Sequence, residues 1–480
     1  MQSAPAPQAL IASLERSLLL AMQEMGLLRQ ENALLRQENA ELGRRLGLDS
    51  SNSGKPPSSD GLKKKPRIAG SLRGKSDKKS GGQSGHQGGT LRQVPEPDHT
   101  ERHEASHCAH CRARLTARMV IGAEKRQVFD LPQPRLEVTE HQAQAYRCDG
   151  CHGTTRAAFP EGVISPAQYG SRIKGVAVYL NVGQLLPEDR VAEVLSELFG
   201  ATKLCSASIV AWGAKKAFDF SGLLARIADL VATSLVRHLD ETGFRVGGLT
   251  LWLHTASTSR LTQYRVCEKR GDMPTTLVGG VIVHDHFKPY LGLTGVSHAF
   301  CNAHHLRELK ALIEIEKEGW ARKMWRLMLR ALVAVRHAVK AGQTRLAERI
   351  ARRIDILYDG IIKAGLAFHQ AQPALPRGKG ARGRSPRRPG HNLLIRLRDH
   401  KADVLRFTAD FDVPFTNNTA EQDIRMMKVK MKISGGFRTK EGADTFAKLR
   451  SVISTARKQG WNILQTLTHP TDKLVEMLHA

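Results

Sequence analysis

Two carboxylates stand side by side where an apolar run breaks off. In "SLVRHLDETGF" (234–244), Val236 and Leu239 lead into Asp240 and Glu241, with Gly243 close behind. A second apolar run, "GGVIVHDHFKPY" (279–290), ends at Asp285 in the same way. Acids delivered by the ends of adjacent strands converge, and three carboxylates can hold two Mg²⁺ ions roughly 4 Å apart for in-line attack on a phosphodiester. A third acid from a later helix is therefore required, and Glu308, Glu421, Asp423 and Glu441 are the candidates. The stretch "FTNNTAEQDIRMMKVKMK" (415–432) opens a helix near Asn418, and a glutamate in its first turn would face out of the helix mouth. Asn418 followed three residues later by Glu421 is also the spacing of a capping box, a purely structural device. Local pattern weighs the two readings equally.

A second chemistry is written in sulfur. Cys108/Cys111 and Cys148/Cys151 form two CxxC pairs, and the remaining cysteines are Cys205, Cys267 and Cys301. An odd total argues against a disulfide framework. Two CxxC knuckles at strand ends can bring four thiolates into the tetrahedral shell that structural Zn²⁺ takes, with a hairpin between them accounting for the long gap. His103, His107, His110 and His152 could replace a thiolate, and two unrelated thiol pairs are the bland alternative.

These groups need elements to position them. Leu249, Leu251 and Leu253 alternate in "GLTLWLHTAS", and "LTQYRVCEK" reads as a further strand, so an antiparallel pair and a short helical piece near 273–278 separate the two aspartate-bearing strands. A ribonuclease-H-like sheet presents its acids in this way. Residues 170–230 are helical: "LPEDRVAEVLSELFG" starts near Pro187 and stops at Gly200, and "SASIVAWGAKKAF" begins another helix. That pair permits DNA reading but equally serves as a spacer.

Net charge of +27 is extreme for a metabolic enzyme and points to a polyanion, nucleic acid first. The charge is clustered, in 55–92 and in "RGKGARGRSPRRPG" (377–390). Residues 49–95, rich in Ser, Gly, Pro and Lys, cannot bury enough surface to fold and read as a disordered basic linker. Upstream, Leu14, Ala21, Leu28, Leu35 and Leu42 alternate with Leu18, Met25, Asn32, Asn39 and Leu46 at heptad spacing, and "LRQENA" occurs twice, seven residues apart. This is a coiled-coil seam over 10–48 that implies a homo-oligomer, unless the helix packs on the protein's own body. No apolar run approaches the roughly 20 residues of a membrane helix, and "MQSAPAPQAL" lacks the order of a secretory leader. A bacterial, cytoplasmic, nucleoid-associated location is expected, with no membrane partner.

Taken in order, "SSNSGKPPSSDG", the paired cysteines, "HLDETGFRV", "GGVIVHDHFKPY", "CNAHHLREL", "TNNTAEQDIR" and "KISGGFRTKEGADTFAKLRSVISTARKQG" are specific. The chain resembles the insertion-sequence-66 family of bacterial DDE transposases over nearly its whole length. The resemblance implies Asp240, Asp285 and Glu421 as the catalytic, magnesium- or manganese-binding acids. It also implies strand cutting at transposon ends, transfer of the freed 3′ hydroxyl to target DNA, and small accessory proteins of the same element. Cys301 and His304 resemble a Cys-x-x-His element that orients DNA or supports the site; a buried capping histidine is as good a reading of His304. With Arg307, the cations Lys428, Lys430, Lys432, Arg438 and Lys440 would line the phosphate path, although a solvated basic face is the default for any one of them. Relatives often carry Ala-Glu-Arg where this chain has Ala420, Glu421 and Gln422, and His284 and His286 have no role in the pattern.

The expected fold is a multidomain α/β chain: coiled coil (10–48), linker (49–95), zinc-ribbon-like module (96–165), helical DNA-binding region (166–230), ribonuclease-H-like core (231–305), helical insertion with the basic loop (306–410), and a core segment carrying Glu421 (411–480). Two rivals remain: a non-catalytic DNA-binding regulator, and a ribonuclease-H-like nuclease without strand transfer.

Overall fold

The computed structural model describes residues 7–53, 91–272, 277–375 and 385–478. A 41-residue helix, α1 (Pro7–Gly47), leads the chain. The two halves of its heptad seam are open to solvent, with Leu14, Leu18, Met25, Leu28, Leu35, Leu42 and Leu46 all exposed. Beyond Gly47 the chain does not become a free linker at once. Asp49 and Asn52 are buried in a tight turn. There the Asn52 side chain donates to Gly47 O and to Glu314, and Lys310 donates to Ser51. The expected linker thus begins as a docked turn because short polar side chains satisfy each other and the backbone; most of the rest, 54–90, lies outside the described residues.

The cysteine region departs from the expected hairpin. Among the described residues, 120–144 have no strand partner and are largely exposed; the strands β1 (Ala145–Arg147) and β2 (Thr154–Arg156) flank the second CxxC pair instead. Alternation in an exposed chain carries no information when no neighbouring strand is there to read it.

Four helices follow: α2 (Ser171–Val178), α3 (Glu188–Phe199), α4 (Ser206–Asp219) and α5 (Ser221–Thr233). Pro187 precedes α3, Glu188 and Asp189 occupy its positive first turn, and Gly200 closes it at φ 73°.

The central sheet comprises β3 (Val236–Val246), β4 (Leu249–Ser257), β5 (Thr262–Cys267), β6 (Val281–His284) and β7 (Ser297–Phe300), ordered β5-β4-β3-β6-β7. The first three are antiparallel; β6 and β7 run parallel to β3. Asp240 therefore sits in the middle of an 11-residue strand and not at its end. The apolar run breaks there because only β4 continues beside β3; the parallel pairing with β6 stops at His238 and Val283. Gly280 lets β6 enter at φ 66°, where a Cβ would lie 2.6 Å from Leu235 O. Residues 273–276 of the expected short helical piece lie outside the described residues.

Helices α6 (Lys288–Leu291) and α7 (Asn302–Ala311) follow β6 and β7 respectively. A helical lobe is then built by α8 (Gly319–Lys340), α9 (Glu348–Gln370), α10 (Pro389–Asp399) and α11 (Lys401–Ala409) around its own core of Trp320, Met324, Met328, Tyr358 and Leu394. The chain returns as α12 (Asn418–Ser434), which lies on β3, and α13 (Lys440–Gln459), which lies on β5. Between them Phe437 occupies the edge of β3 that β6 vacates: Phe437 N donates to Arg245 O and Gly247 N to Phe437 O, both at 2.9 Å. Gly436 makes that approach possible, since a Cβ there would stand 2.6 Å from Arg245 O. Phe446, Leu449, Val452 and Ile453 of α13 join Leu239, Phe244, Leu253 and Ile282 of the sheet in the main core. Each such side chain contributes roughly 1.5–3 kcal/mol on burial. Short helices α14 (Ile463–Thr468) and α15 (Thr471–Glu476) end the fold. No helix of the described residues is long and apolar enough to cross a membrane.

Candidate active site and metal centres

Strand register sets the site. His238 pairs with Val283 across β3 and β6, and His284 pairs with Phe300 across β6 and β7. Counting forward, Asp240 and Asp285 each stand two residues past the last β3–β6 rung (240 − 238 and 285 − 283), and Cys301 stands one past Phe300. Side chains alternate along strands at the same period in neighbours, so Asp240, Asp285 and Cys301 form a row across three parallel strands, just past the end of their pairing. Asp285 accepts a hydrogen bond from Phe287 N at 2.9 Å, which holds the turn that carries it.

Of the four candidate third acids, Glu421 alone reaches this row. Its Oε1 is 3.7 Å from Cys301 Sγ and 4.0 Å from His304 Nδ1. Asp423 is consumed inside the fold by Ser257, Thr262 and Lys458, at 2.6, 2.9 and 2.7 Å. Glu308 is paired with Arg396, and Glu441 is exposed in the first turn of α13. The capping-box reading fails on geometry: Asn417 is the N-cap residue of α12, and no side chain caps the helix. The Asn417 amide donates to Leu239 O at 2.7 Å, its Oδ1 accepts from His238 Nδ1 at 2.9 Å, and its backbone N–H donates to Cys301 Sγ at 3.1 Å. This buried residue fastens the start of α12 to the aspartate strand and to the cysteine. Only its place in the "TNNTAEQ" stretch hinted at that.

Electrostatics report the same meeting. Burial, then the charges of Glu241, Asp285 and Glu421, push the Asp240 carboxyl up to about 8. Glu241, whose side chain is 2% exposed, takes the Arg270 guanidinium at 2.7 Å and the Tyr290 hydroxyl at 2.5 Å. Arg270 is further held over the rings of Phe287 and Trp252, at 4.2 and 5.1 Å. Its neighbours fix it at one wall of a cleft of about 300 Å³, shared with Asp285, His286, Cys301, His304 and Arg396. Burial, and secondarily Glu421, push the Cys301 thiol up to about 12.

Among the expected DNA-facing cations, Lys428, Lys432, Arg438 and Lys440 are exposed, Lys440 in an ion pair with Glu268 at 2.8 Å, and Arg307 is half-buried. Lys430 is not among them: it is 5% exposed and turned inward over the Phe437 ring, because its position on α12 faces the core. Arg425, overlooked in the sequence, lies on the same helical face as Glu421, Lys428 and Lys432 at steps of four, three and four residues. His284 is buried against Tyr290, His298 and Phe300, and the His286 ring lies tilted against Phe300 beside the cleft.

Comparison with known families decides the class. Residues 166–445, more than half of the chain, match the transposase IS66 family. The chain belongs to that family. Residues 105–152 match the zinc-finger binding domain of transposase IS66, and residues 4–92 match a family of unknown function, DUF6444. No curated protein and no solved structure matches.

The zinc-finger match supports Zn²⁺ at the paired cysteines of this IS66-family chain, and local geometry explains why. At Cys108, its N–H donates to Ala113 O and Arg112 N–H donates back to Cys108 O; at Cys148, its N–H donates to Gly153 O and His152 N–H to Cys148 O. Arg112 and His152 both sit in the left-handed region, at φ 59° and 53°. The two loops are copies of one knuckle. The backbone N–H groups of Cys111 and His110, then the Cys111 thiol, draw Cys108 below its usual thiol value. Cys151 and Gly150 N–H, then the Cys151 thiol, do the same for Cys148. The donors of each pair thus fit a thiophilic ion.

The expected single shell of four thiolates is not assembled among the described residues, where the two pairs stand as separate knuckles. Cys108 and Cys111 make one pair, Cys148 and Cys151 another; Cys111, Cys148 and Cys151 are exposed and Cys108 is half-buried. The Cys111 thiol lies beside Cys108, and the Cys151 thiol beside Cys148. Among the described residues, the one group of three or more ligand atoms lying within 4.8 Å of one another is Cys301, His304 and Glu421. The physical reason is the missing hairpin. Strands β1 and β2 brace the Cys148/Cys151 knuckle alone, and the Cys108/Cys111 knuckle is closed by its own bridge between His107 and Arg114, so no shared sheet draws the two together.

Proposed function

We propose that this transposase cuts DNA at the ends of its insertion sequence and joins the freed 3′ hydroxyl to target DNA, using Asp240, Asp285 and Glu421 as a DDE triad. The observation carrying the proposal is that Asp240 and Asp285, 45 positions apart in sequence, stand level on adjacent strands, while Glu421, a further 136 positions on, comes from α12 to Cys301, which stands level with Asp285 on the next strand. The strand order β5-β4-β3-β6-β7, three antiparallel and two parallel, supports a ribonuclease-H-like core. Asp240, Asp285 and Glu421 offer carboxylate oxygens, the donors that Mg²⁺ or Mn²⁺ takes, and such an ion would neutralise the like charges that help raise the Asp240 carboxyl. Such ions supply charge neutralisation and an activated attacking oxygen when bound.

The protein's own groups do the placing. Asp240 and Asp285 present carboxylates from a rigid sheet, and Glu421 brings a third from α12, its approach fixed by Asn417. Arg270, held by Glu241 and two aromatic rings, offers a positioned guanidinium for a phosphate in the cleft. Arg425, Lys428 and Lys432 continue a basic track along α12, which steers the backbone without reading sequence. Pairing of two α1 seams would bring two such sites to two DNA ends.

The test uses short duplexes bearing the element's terminal inverted repeats, a second target duplex and Mg²⁺. Joined products are expected. Cutting without joining would assign a nuclease, and binding without cutting a regulator; either would overturn the proposal.

A further inference from the structure

The Cys301, His304 and Glu421 group is not accounted for by magnesium chemistry. Cys301 is the N-cap residue of α7 and His304 lies three residues on, so one helical turn brings thiol and imidazole to the same side. Glu421 arrives from α12, and the three ligand atoms lie within 4.8 Å of one another. The separations to Glu421 Oε1, 3.7 Å from sulfur and 4.0 Å from nitrogen, approach those of a tetrahedral shell, in which bonds of about 2.0–2.3 Å place donors roughly 3.3–3.8 Å apart. The donor set is sulfur, nitrogen and oxygen, which suits zinc and does not suit Mg²⁺, an ion of oxygen ligands and octahedral geometry.

Two further features point to an ion. His304 Nδ1, the nitrogen that faces Glu421, is buried and has no hydrogen-bond partner among the described residues. Cys301 Sγ already receives the Asn417 N–H at 3.1 Å, the kind of outer bond that steadies a metal-bound thiolate. The remaining side opens on the cleft that holds Asp285 and His286, where a water or a DNA oxygen could complete the shell.

We propose that Cys301, His304 and Glu421 form a second, thiophilic metal site that takes one Zn²⁺ per chain, separate from the paired cysteines. Binding forms the zinc–sulfur bond as the Cys301 S–H proton leaves for solvent; no electron changes hands. The site rests on these three residues and not on the DDE reading. If that reading holds, zinc and magnesium compete for Glu421, and zinc bound here withdraws the third acid and arrests cutting.

The experiment strips the full-length protein of metal and titrates it with zinc, counting the ions per chain that each variant loses relative to wild type. Cys301→Ser and His304→Gln are each expected to bind one zinc fewer than wild type. Titration with Co²⁺ should show a weaker sulfur-to-metal absorption in Cys301→Ser than in wild type. His304 is partly exposed, so its variant keeps the test valid if the cysteine variant misfolds. Folded variants that bind as many zinc ions as wild type would overturn the proposal. These counts do not depend on activity, so a protein that loses a zinc in both variants yet cuts no DNA would sink only the DDE reading.

Discussion

Asp240 and Asp285 occupy equivalent places on adjacent parallel strands, each two residues beyond the rung formed by His238 and Val283. A position fixed by register cannot slide without moving every side chain of the strand, so the pair is rigidly spaced. Replacing either by Asn, or Glu421 by Gln, leaves shape almost unchanged and removes a carboxylate of the proposed triad. Strand cutting is expected to fall by at least about a thousandfold, about 4 kcal/mol of barrier, with binding of the element's ends retained. Gel-shift and cutting assays run on the same duplex separate the two effects. Wild-type cutting rates in all three variants would remove the acids from the chemistry.

The raised Asp240 carboxyl makes a prediction about stability. Its folded value of about 8 exceeds the unfolded value near 3.8, so between these pH values the folded chain binds a proton that the unfolded chain releases. Stability contributed by this group is present below the window and is lost as pH rises through it. Asp240→Asn cannot titrate. In magnesium-free buffer the variant should therefore gain on wild type steadily from pH 4 to pH 8. Added Mg²⁺ should narrow the gap by binding the charged wild-type site. Thermal melts across that range measure it, and parallel curves would show that the carboxyl is not perturbed.

Asn417 is expected to act as a positioning residue. Its side chain joins His238 and Leu239 O inside the fold, and its N–H reaches Cys301. Asn417→Ala strands a buried ring N–H and a strand carbonyl, costing about 2–4 kcal/mol in urea unfolding. Because α12 loses its tie to β3, cutting should fall more than that loss predicts at temperatures where the variant is fully folded. Asn417→Asp keeps the acceptor for His238 and should recover much of the stability, but it adds a further negative charge beside the row and should leave cutting low. A variant that cuts normally once folded would make Asn417 a purely structural residue.

Legibility in the sequence followed from whether a signal was local. Alternation of Leu249, Leu251 and Leu253 revealed β4, and apolar runs broken by acids located Asp240 and Asp285, since burial pattern is written residue by residue. Register is a property of two strands together, so nothing in "HLDETGF" revealed that its aspartate lies mid-strand and yet at the end of the parallel pairing. Glu421 and its capping-box rival were locally equivalent, and the resemblance to a family, not the pattern, chose between them. Lys430 looked like its neighbours because charge says nothing about which helix face turns inward. The CxxC spacing named each knuckle correctly but could not say whether Cys111 and Cys151 meet, because that depends on the chain between them. The alternation before Cys148 misled for the same reason: the described residues hold no partner strand to make use of it.

The seam on α1 yields the last prediction. Leu14, Leu18, Met25, Leu28, Leu35, Leu42 and Leu46 are exposed along one 41-residue helix, and Asn32, in the same seam, spends its amide on its own helix at Leu28 O. An isolated helix gains little from exposing such a stripe, whereas two copies packed together would bury roughly 1.5–3 kcal/mol per large side chain. Leu28→Asp with Leu35→Asp places carboxylates at the middle of the seam, where a partner's carboxylates would face them. Analytical ultracentrifugation should show an oligomer for wild type and a monomer for the double variant, with the sheet core unaffected by circular dichroism. Replacing Asn32 and Asn39 by Val should have the reverse sign: a tighter assembly whose register and number of strands are less defined, because the paired amides that select one alignment are gone. A wild-type monomer at micromolar concentration would leave the stripe without a partner helix and refute the seam.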